Sequence, residues 1–273
     1  MALTAHEKAI KSGIRMNGRI GDLFAKAGTS AHPRGEITTI YRRTRVELES
    51  ALQADNPVLS TRDVLQRTRR DLLIAIGLLY ASAVTLGEEE ALRQLELYGV
   101  SAFGSINLTS EAQSATDAVM ARFDAQAAAI LALVATGAQN EQIIGDGNSN
   151  GIFSYSEITV GIAYWIAYLV WYAFDSKIFG TQAVGGGRQV TPFQKQAIAV
   201  IDERTTECCL KVHGQIQPLD GMFKLVGQPR FADEMDRPGF HNFCRTSMIL
   251  YSAEFDNGNT EKLIEEAKKF MKK

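Results

Sequence analysis

Residues 202–245 read DERTTECCLKVHGQIQPLDGMFKLVGQPRFADEMDRPGFHNFCR, and the fold reading begins there. This stretch gathers Cys208, Cys209, His213, His241 and Cys244, which are all three cysteines and two of the four histidines of the 273-residue chain. Short apolar runs flank it, QAIAVI at 196–201 and TSMILYS at 246–252. Their length and apolar, β-branched character predict strands. Further on, 260–272 predicts a helix with Leu263, Ile264, Ala267, Phe270 and Met271 on one face. Its acids Glu261 and Glu265 come early and Lys268, Lys269, Lys272 and Lys273 come late, as the helix dipole favours.

Toward the N-terminus the pattern turns helical. A first helix is expected over 5–28, a turn at Ala31–Glu36 with Pro33 and Gly35, and a second helix over 37–53 ending before Asn56-Pro57. Ser60-Thr61-Arg62-Asp63 reads as a capping box opening a third helix. Residues 62–71 are charged, whereas LLIAIGLLYASAVTL at 72–86 carries no charge and is expected to be buried. A separate short helix is expected from Glu88–Glu90 to Tyr98, then an Ala-rich helix over 110–136 capped by Ser110, then an apolar helix over 156–175. Gly185-Gly186-Gly187 reads as a hinge. The expected fold is a mainly α N-terminal region, 1–180, followed by a small α+β C-terminal domain, 188–273.

A composition of 45% hydrophobic and 22% charged residues argues against disorder. The opening MALTAHEKAI has no apolar signal core, so secretion is not expected. An odd cysteine count disfavours a disulfide framework, which fits synthesis in a reducing cytoplasm. The stretch 158–174 is 17 uncharged residues, at the lower limit for a membrane span. Glu157 and Asp175 flank it, no basic cluster orients it, and its Trp and Tyr residues lie through its middle. A buried helix is the expectation, with no membrane span.

Charge is segregated: net +6 over 1–70, −9 over 71–180 and +1 over 181–273. Arg42, Arg43, Arg45, Arg62, Arg67, Arg69 and Arg70 form a basic set. It suits DNA phosphates without sequence preference, a partner protein, or the chain's own acidic middle.

Two metal motifs stand out. DGNSNGIFSYSE at 146–157 fits the twelve-residue EF-hand pattern. Asp146, Asn148 and Asn150 would offer side-chain oxygens, Ile152 its carbonyl, Ser154 a direct or water-mediated contact, and Glu157 a bidentate carboxylate to Ca2+. With two ionised ligands, a plain Asn/Gly turn between helices is the other reading. In the second motif, Cys209-x3-His213 and His241-x2-Cys244 supply two sulfurs and two nitrogens of the kind Zn2+ takes, with 27 residues between the pairs and Cys208 spare. The competing readings are small buried residues and an oxidised Cys209–Cys244 pair. An enzyme would need Cys208 or Cys209 as nucleophile, His241 as base and Asp202 as orienter. The glycine run lacks the P-loop Gly-Lys-Ser/Thr ending and there is no His-Glu-x-x-His, so the chain is read as non-enzymatic. Asp202, Arg204 and Thr205 read as a local scaffold, with an Arg–Asp pair and a hydroxyl-closed turn, and Gly214-Gln215 as a turn.

The order Asp202-x-Arg204-Thr205, Cys209 or Cys208, Gly214-Gln215, Pro229, Pro238, His241-x-x-Cys244-Arg245 resembles the C-terminal segment of the Mu F-like minor head proteins of tailed bacteriophages. The resemblance spans about a sixth of the chain directly and continues more weakly through the helical region upstream. It implies a structural role: a minor head protein at the portal vertex, present in few copies, assisting capsid assembly and head morphogenesis or the fate of packaged DNA. The implied partners are the portal protein and other head proteins, with phage DNA by non-specific contact. The implied location is the virion, after synthesis in the host cytoplasm. The chain departs from the pattern in its Asn242-Phe243 pair and in Thr246, which stands where a second cysteine often follows the arginine. Two other classes stay open: a zinc- or thiol-dependent enzyme of a mobile element, and a calcium-responsive binding module.

Overall fold

The computed structural model describes residues 3–28, 35–101, 107–138, 140–145, 151–184 and 193–271. Six helices come first: α1 (Ala5–Ala27), α2 (Glu36–Ala51), α3 (Pro57–Leu97), α4 (Thr109–Ala135), α5 (Asn140–Ile144) and α6 (Ser156–Val184). Then follow β1 (Gln194–Ala199), α7 (Glu207–Val212), β2 (Ile216–Pro218), β3 (Phe223–Lys224), β4 (Glu234–Met235), β5 (Thr246–Tyr251), a 3-10 turn (Ala253–Phe255) and α8 (Asn259–Met271). The fold is thus mainly α, with a small α+β part at the C-terminal end.

Helix α3 departs most from the sequence reading. It starts at Pro57, where a missing N–H removes no intrahelical bond, and Asn56 Oδ1 accepts the Leu59 N–H at 3.1 Å. Ser60–Asp63 therefore lie inside the helix rather than at its cap, and the buried Thr61 hydroxyl has no hydrogen-bond partner. No break precedes Glu88. A Cβ on Gly87 would lie 2.0 Å from the Val170 carbonyl oxygen, so the glycine allows α3 and α6 to approach and does not end the helix. The run 72–86 is buried on one face only: Leu72, Ile76, Tyr80 and Ala83 are enclosed, while Leu73, Ile74 and Leu78 are exposed. Ser110 likewise falls inside α4, its hydroxyl turned to Glu111 at 2.7 Å.

Helices α3, α4 and α6 each contain a stretch long and apolar enough to cross a membrane. The α6 stretch is 72% buried within the protein, against 28% for α4. The helix singled out from sequence is thus the one the protein encloses most.

The chain forms two compact units, Met1–Gly21 with Ala83–Leu108 and Ile166–Lys273, and Asp22–Ser82 with Thr109–Trp165. This differs from a division at 181–187, of which Gly185–Gly187 lie outside the described residues. The difference has a physical source in the first unit. Its three-stranded antiparallel sheet runs β2-β1-β5, with Gln194 opposite Tyr251 and Ala199 opposite Thr246. Strand β5 is an edge, and α3 covers it: Gln94 Oε1 accepts the Leu250 N–H at 2.6 Å and the Tyr98 hydroxyl donates to the Leu250 carbonyl at 2.9 Å. Helix α1 packs on its face, where Ser247 donates to the Gly13 carbonyl at 2.6 Å. Ala9, Ile198, Ile249 and Leu263 form a core beneath. The sheet is too small to bury both its faces with residues after 193 alone.

In the second unit α2, α3 and α4 share a polar seam. Thr44 and Thr68 join hydroxyls at 2.7 Å in its buried part. Tyr41 stacks on Phe153 at 4.7 Å between ring centroids.

Candidate functional site

Strand β1 ends at Ala199, and the chain turns sharply through 200–206 before α7. Three hydrogen bonds to side chains help make that turn. Thr205 Oγ1 donates to the Val200 carbonyl at 2.5 Å and accepts the Asp202 N–H at 2.9 Å, while Asp202 Oδ1 accepts the Arg204 N–H at 2.8 Å. Asp202 then reaches across the sequence. Arg245 Nη1 and Nη2 donate to its two carboxylate oxygens at 2.6 and 2.5 Å. The bidentate partner is therefore Arg245; Arg204 is 81% exposed and lies 3.7 Å away. Hydrogen bonding from Arg245 holds the Asp202 carboxyl well below the usual carboxylate range.

Gly214 and Gln215 do more than turn the chain. Gly214 has φ +81°, and its N–H donates to the Ala197 carbonyl at 2.8 Å. A Cβ there would also meet Ile264 Cγ1 at 2.8 Å. The Gln215 side chain accepts the Lys224 N–H at 2.7 Å and donates to the Lys224 carbonyl at 3.2 Å, tying β3 to the end of α7 as a strand neighbour would.

Between these two ties lies a buried thiol–imidazole cluster. Cys208 and Cys209 sit in the first turn of α7, and His241 and Cys244 in the loop before β5. Cys209 Sγ is 3.0 Å from His241 Nε2 and 3.7 Å from Cys244 Sγ. The ligand atoms of Cys208, Cys209 and His241 all lie within 4.8 Å of one another. Cys208 Sγ also lies 2.7 Å from the Pro229 carbonyl, a contact that needs the thiol proton. Thr206 Oγ1 is 3.0 Å from His241 Nε2. His241 Nδ1 donates to the Asn242 carbonyl at 2.8 Å, which orients the ring.

The electrostatics follow from this packing. Burial opposes a charged His241, but hydrogen bonds with Cys208 and Cys244 outweigh it and push the imidazole up to about 10. Cys209 is driven far up because it shares its proton with the neighbouring sulfurs. Cys244 is brought well below an ordinary thiol: burial opposes this, and bonding to Cys209 and His241 prevails.

The sequence-based zinc set needs one exchange. His213 is not in the cluster; its Nδ1 accepts the Ala199 N–H at 2.9 Å, and burial lowers it to about 4. Cys208, expected to be spare, takes its place. Residues adjacent on a helix point about 100° apart, so two neighbouring cysteines do not announce a shared site. They reach one here because His241 stands over the first turn of α7. The thiol triad is not assembled either, since Asp202 faces Arg245 and His241 Nδ1 faces a backbone carbonyl.

Asp146, Asn148 and Asn150 of the calcium motif lie outside the described residues, as does the Glu157 side chain. Of the others, the Ile152 carbonyl already accepts Gln126 Nε2 at 2.7 Å, and the Ser154 hydroxyl lies 3.0 Å from that of Ser156. Most of the basic set faces the chain's own acids. Arg43 pairs with Asp71 and Glu47, Arg67 with Glu47, Arg45 with Glu49, Arg70 with Asp71, and Arg69 grips Asp124 at 2.8 and 3.0 Å. Arg42 and Arg62 are exposed on α2 and α3.

The sequence reading missed a second charged cluster behind the sheet. Lys195, 1% exposed in β1, donates to the Asp236 carbonyl at 2.5 Å and lies over the Phe223 ring. Arg237 pairs with Asp236 and covers the rings of Tyr168 and Tyr172 at 5.3 and 4.7 Å. Burial pushes Asp175 up to about 7, against the pull of Lys195 and Arg237. The available signal was a lysine inside an apolar strand and an aspartate at the end of an apolar helix run.

Comparison of the chain with protein families, curated proteins and solved structures gave no match.

Proposed function

We propose that this chain is a minor head protein of a tailed bacteriophage, acting at the portal vertex in head assembly or in the fate of packaged DNA. The observation that supports this most is the Asp202–Arg245 clasp. It joins the first and last residues of the Mu F-like pattern, and the pattern's Thr205, Gly214, Gln215, His241 and Cys244 pack between or beside them. Read this way, the pattern describes a fastening that shapes a small domain. A structural protein needs such residues for fold, and their order in sequence follows from the fastening.

The burial of the thiols weighs in the same direction. Cys208 and Cys209 are 0% and 2% exposed, which favours a structural role for these sulfurs over a nucleophilic one. The arginine pairs favour portal or head proteins over DNA as partners. Phosphate binding through Arg43, Arg67 or Arg69 would have to displace carboxylates already in place.

The test is quantitative mass spectrometry of purified particles and proheads from the phage or prophage that carries the chain. A few to tens of copies in either supports the proposal. Presence in the lysate with absence from both particle types removes it.

A further inference from the structure

We propose that Cys208, Cys209, Cys244 and His241 hold one zinc ion, in a Cys3His site that draws on Cys208 and leaves His213 out. The proposal stands on the geometry of the cluster and is independent of the head-protein reading.

The donor set is the first argument. Three thiols and one imidazole are a closed structural zinc set. Sulfur donors also select against magnesium, calcium and manganese. Distance is the second. With Zn–S near 2.3 Å, two sulfurs of a tetrahedral site stand roughly 3.8 Å apart. Cys209 and Cys244 stand 3.7 Å apart without a bond between them. Cys208, Cys209 and His241 keep their ligand atoms within 4.8 Å of one another, Cys244 joins them beside Cys209, and a turn of the Cys208 side chain away from the Pro229 carbonyl would bring the fourth donor in.

Orientation is the third argument. The Asn242 carbonyl accepts a hydrogen bond from His241 Nδ1, and Nε2 is turned inward, toward Cys209. That is the outer support a metal-bound histidine ordinarily has. Charge is the fourth. Binding Zn2+ sends three protons to solvent and leaves a centre of net charge −1. Arg245 lies close enough to Cys209 and Cys244 to answer that charge, and it is already fixed by Asp202.

The ion would tie the start of α7 to the loop before β5, in parallel with the Asp202–Arg245 clasp. Thr206 Oγ1 borders the cluster, 3.0 Å from His241 Nε2, and a tetrahedral site needs no fifth ligand.

The experiment uses the full chain purified under reducing conditions without chelator. Native mass spectrometry and elemental analysis should give one zinc per chain. After removal of the zinc, Co2+ should bind one to one, with intense tetrahedral d–d bands and sulfur-to-cobalt charge transfer. Cys208→Ser should lower that charge transfer by about a third, one thiolate of three, and weaken retention against a chelator. His213→Gln should bind as the parent does. Three results would overturn the proposal: no stoichiometric metal in the parent protein, an octahedral Co2+ spectrum, or a Cys209–Cys244 disulfide in the reduced preparation. Loss of binding in His213→Gln with Cys208→Ser unaffected would overturn the ligand assignment. The parent measurements decide the matter even if a variant does not fold.

Discussion

Asp202 takes the two terminal nitrogens of the Arg245 guanidinium across 43 residues of sequence, and its effect on stability has a definite pH dependence. Its folded pKa is depressed, so the stabilisation is present above the unfolded value near 3.9 and is lost as pH falls below it. The pair is partly exposed, which limits the loss in Asp202→Asn to about 1 kcal/mol at pH 7. Thermal melts should show that loss at pH 7 and a smaller one at pH 3. An equal loss at both pH values would mean the carboxylate charge is not what matters. His213 has the opposite chemistry. It is buried neutral with its pKa lowered to about 4, so the unfolded chain takes up a proton below about 6.5 that the folded chain refuses. Stability should fall between pH 6.5 and 4 by on the order of 3 kcal/mol from this group. His213→Gln should remove that component of the pH profile. From sequence, Asp202, Arg204 and Thr205 read as a local scaffold and Gly214-Gln215 as a turn. The partner of Asp202 was not: Arg204 is nearer in the chain but extends into solvent. His213 entered one candidate zinc set because its residue type fits, beside a buried-structural reading; only the fold shows its ring turned to β1.

Among the elements, the long helices and the strands β1 and β5 were legible from sequence, whereas the short α5, α7 and β2 to β4, and most helix ends, were not. Asn56-Pro57 reads equally as an end and as a beginning, and it opens α3 because Asn56 caps Leu59. Gly87 reads as a breaker until α6 is placed beside it. Two substitutions on α3 separate these meanings. Gly87→Ala should destabilise by about 2 kcal/mol or more, since its methyl would meet the Val170 carbonyl. Gly77→Ala, with nothing within 4 Å, should stabilise by roughly 0.5–1 kcal/mol through helix propensity alone. Denaturation midpoints that move in the same direction for both would refute the packing account of Gly87. The exposed Leu73, Ile74 and Leu78 show why an uncharged run does not foretell burial on every side. A helix in this setting has one face toward its neighbours, and composition carries no record of which.

For the molecule as a whole, the mainly α and then α+β order was legible, and the composition of the compact units was not. A unit assembled from the start, middle and end of the chain has no local signature. It arises because β5 is an edge strand whose N–H and carbonyl groups need Gln94 and Tyr98 from far upstream. The same holds for the site, where α7 and the loop before β5 are brought together by the clasp and the strand pairing around it. The central claim is that this site acts by holding the fold. The most direct measurement is the copy number of the chain in particles carrying Asp202→Asn, set beside the melting temperature of the same purified variant. The account predicts that incorporation and melting temperature fall together, and that both recover when a stabilising change such as Gly77→Ala is added. An Asp202→Asn chain that melts as the parent does but is missing from particles would contradict it, and would assign Asp202 a direct part in partner contact or chemistry.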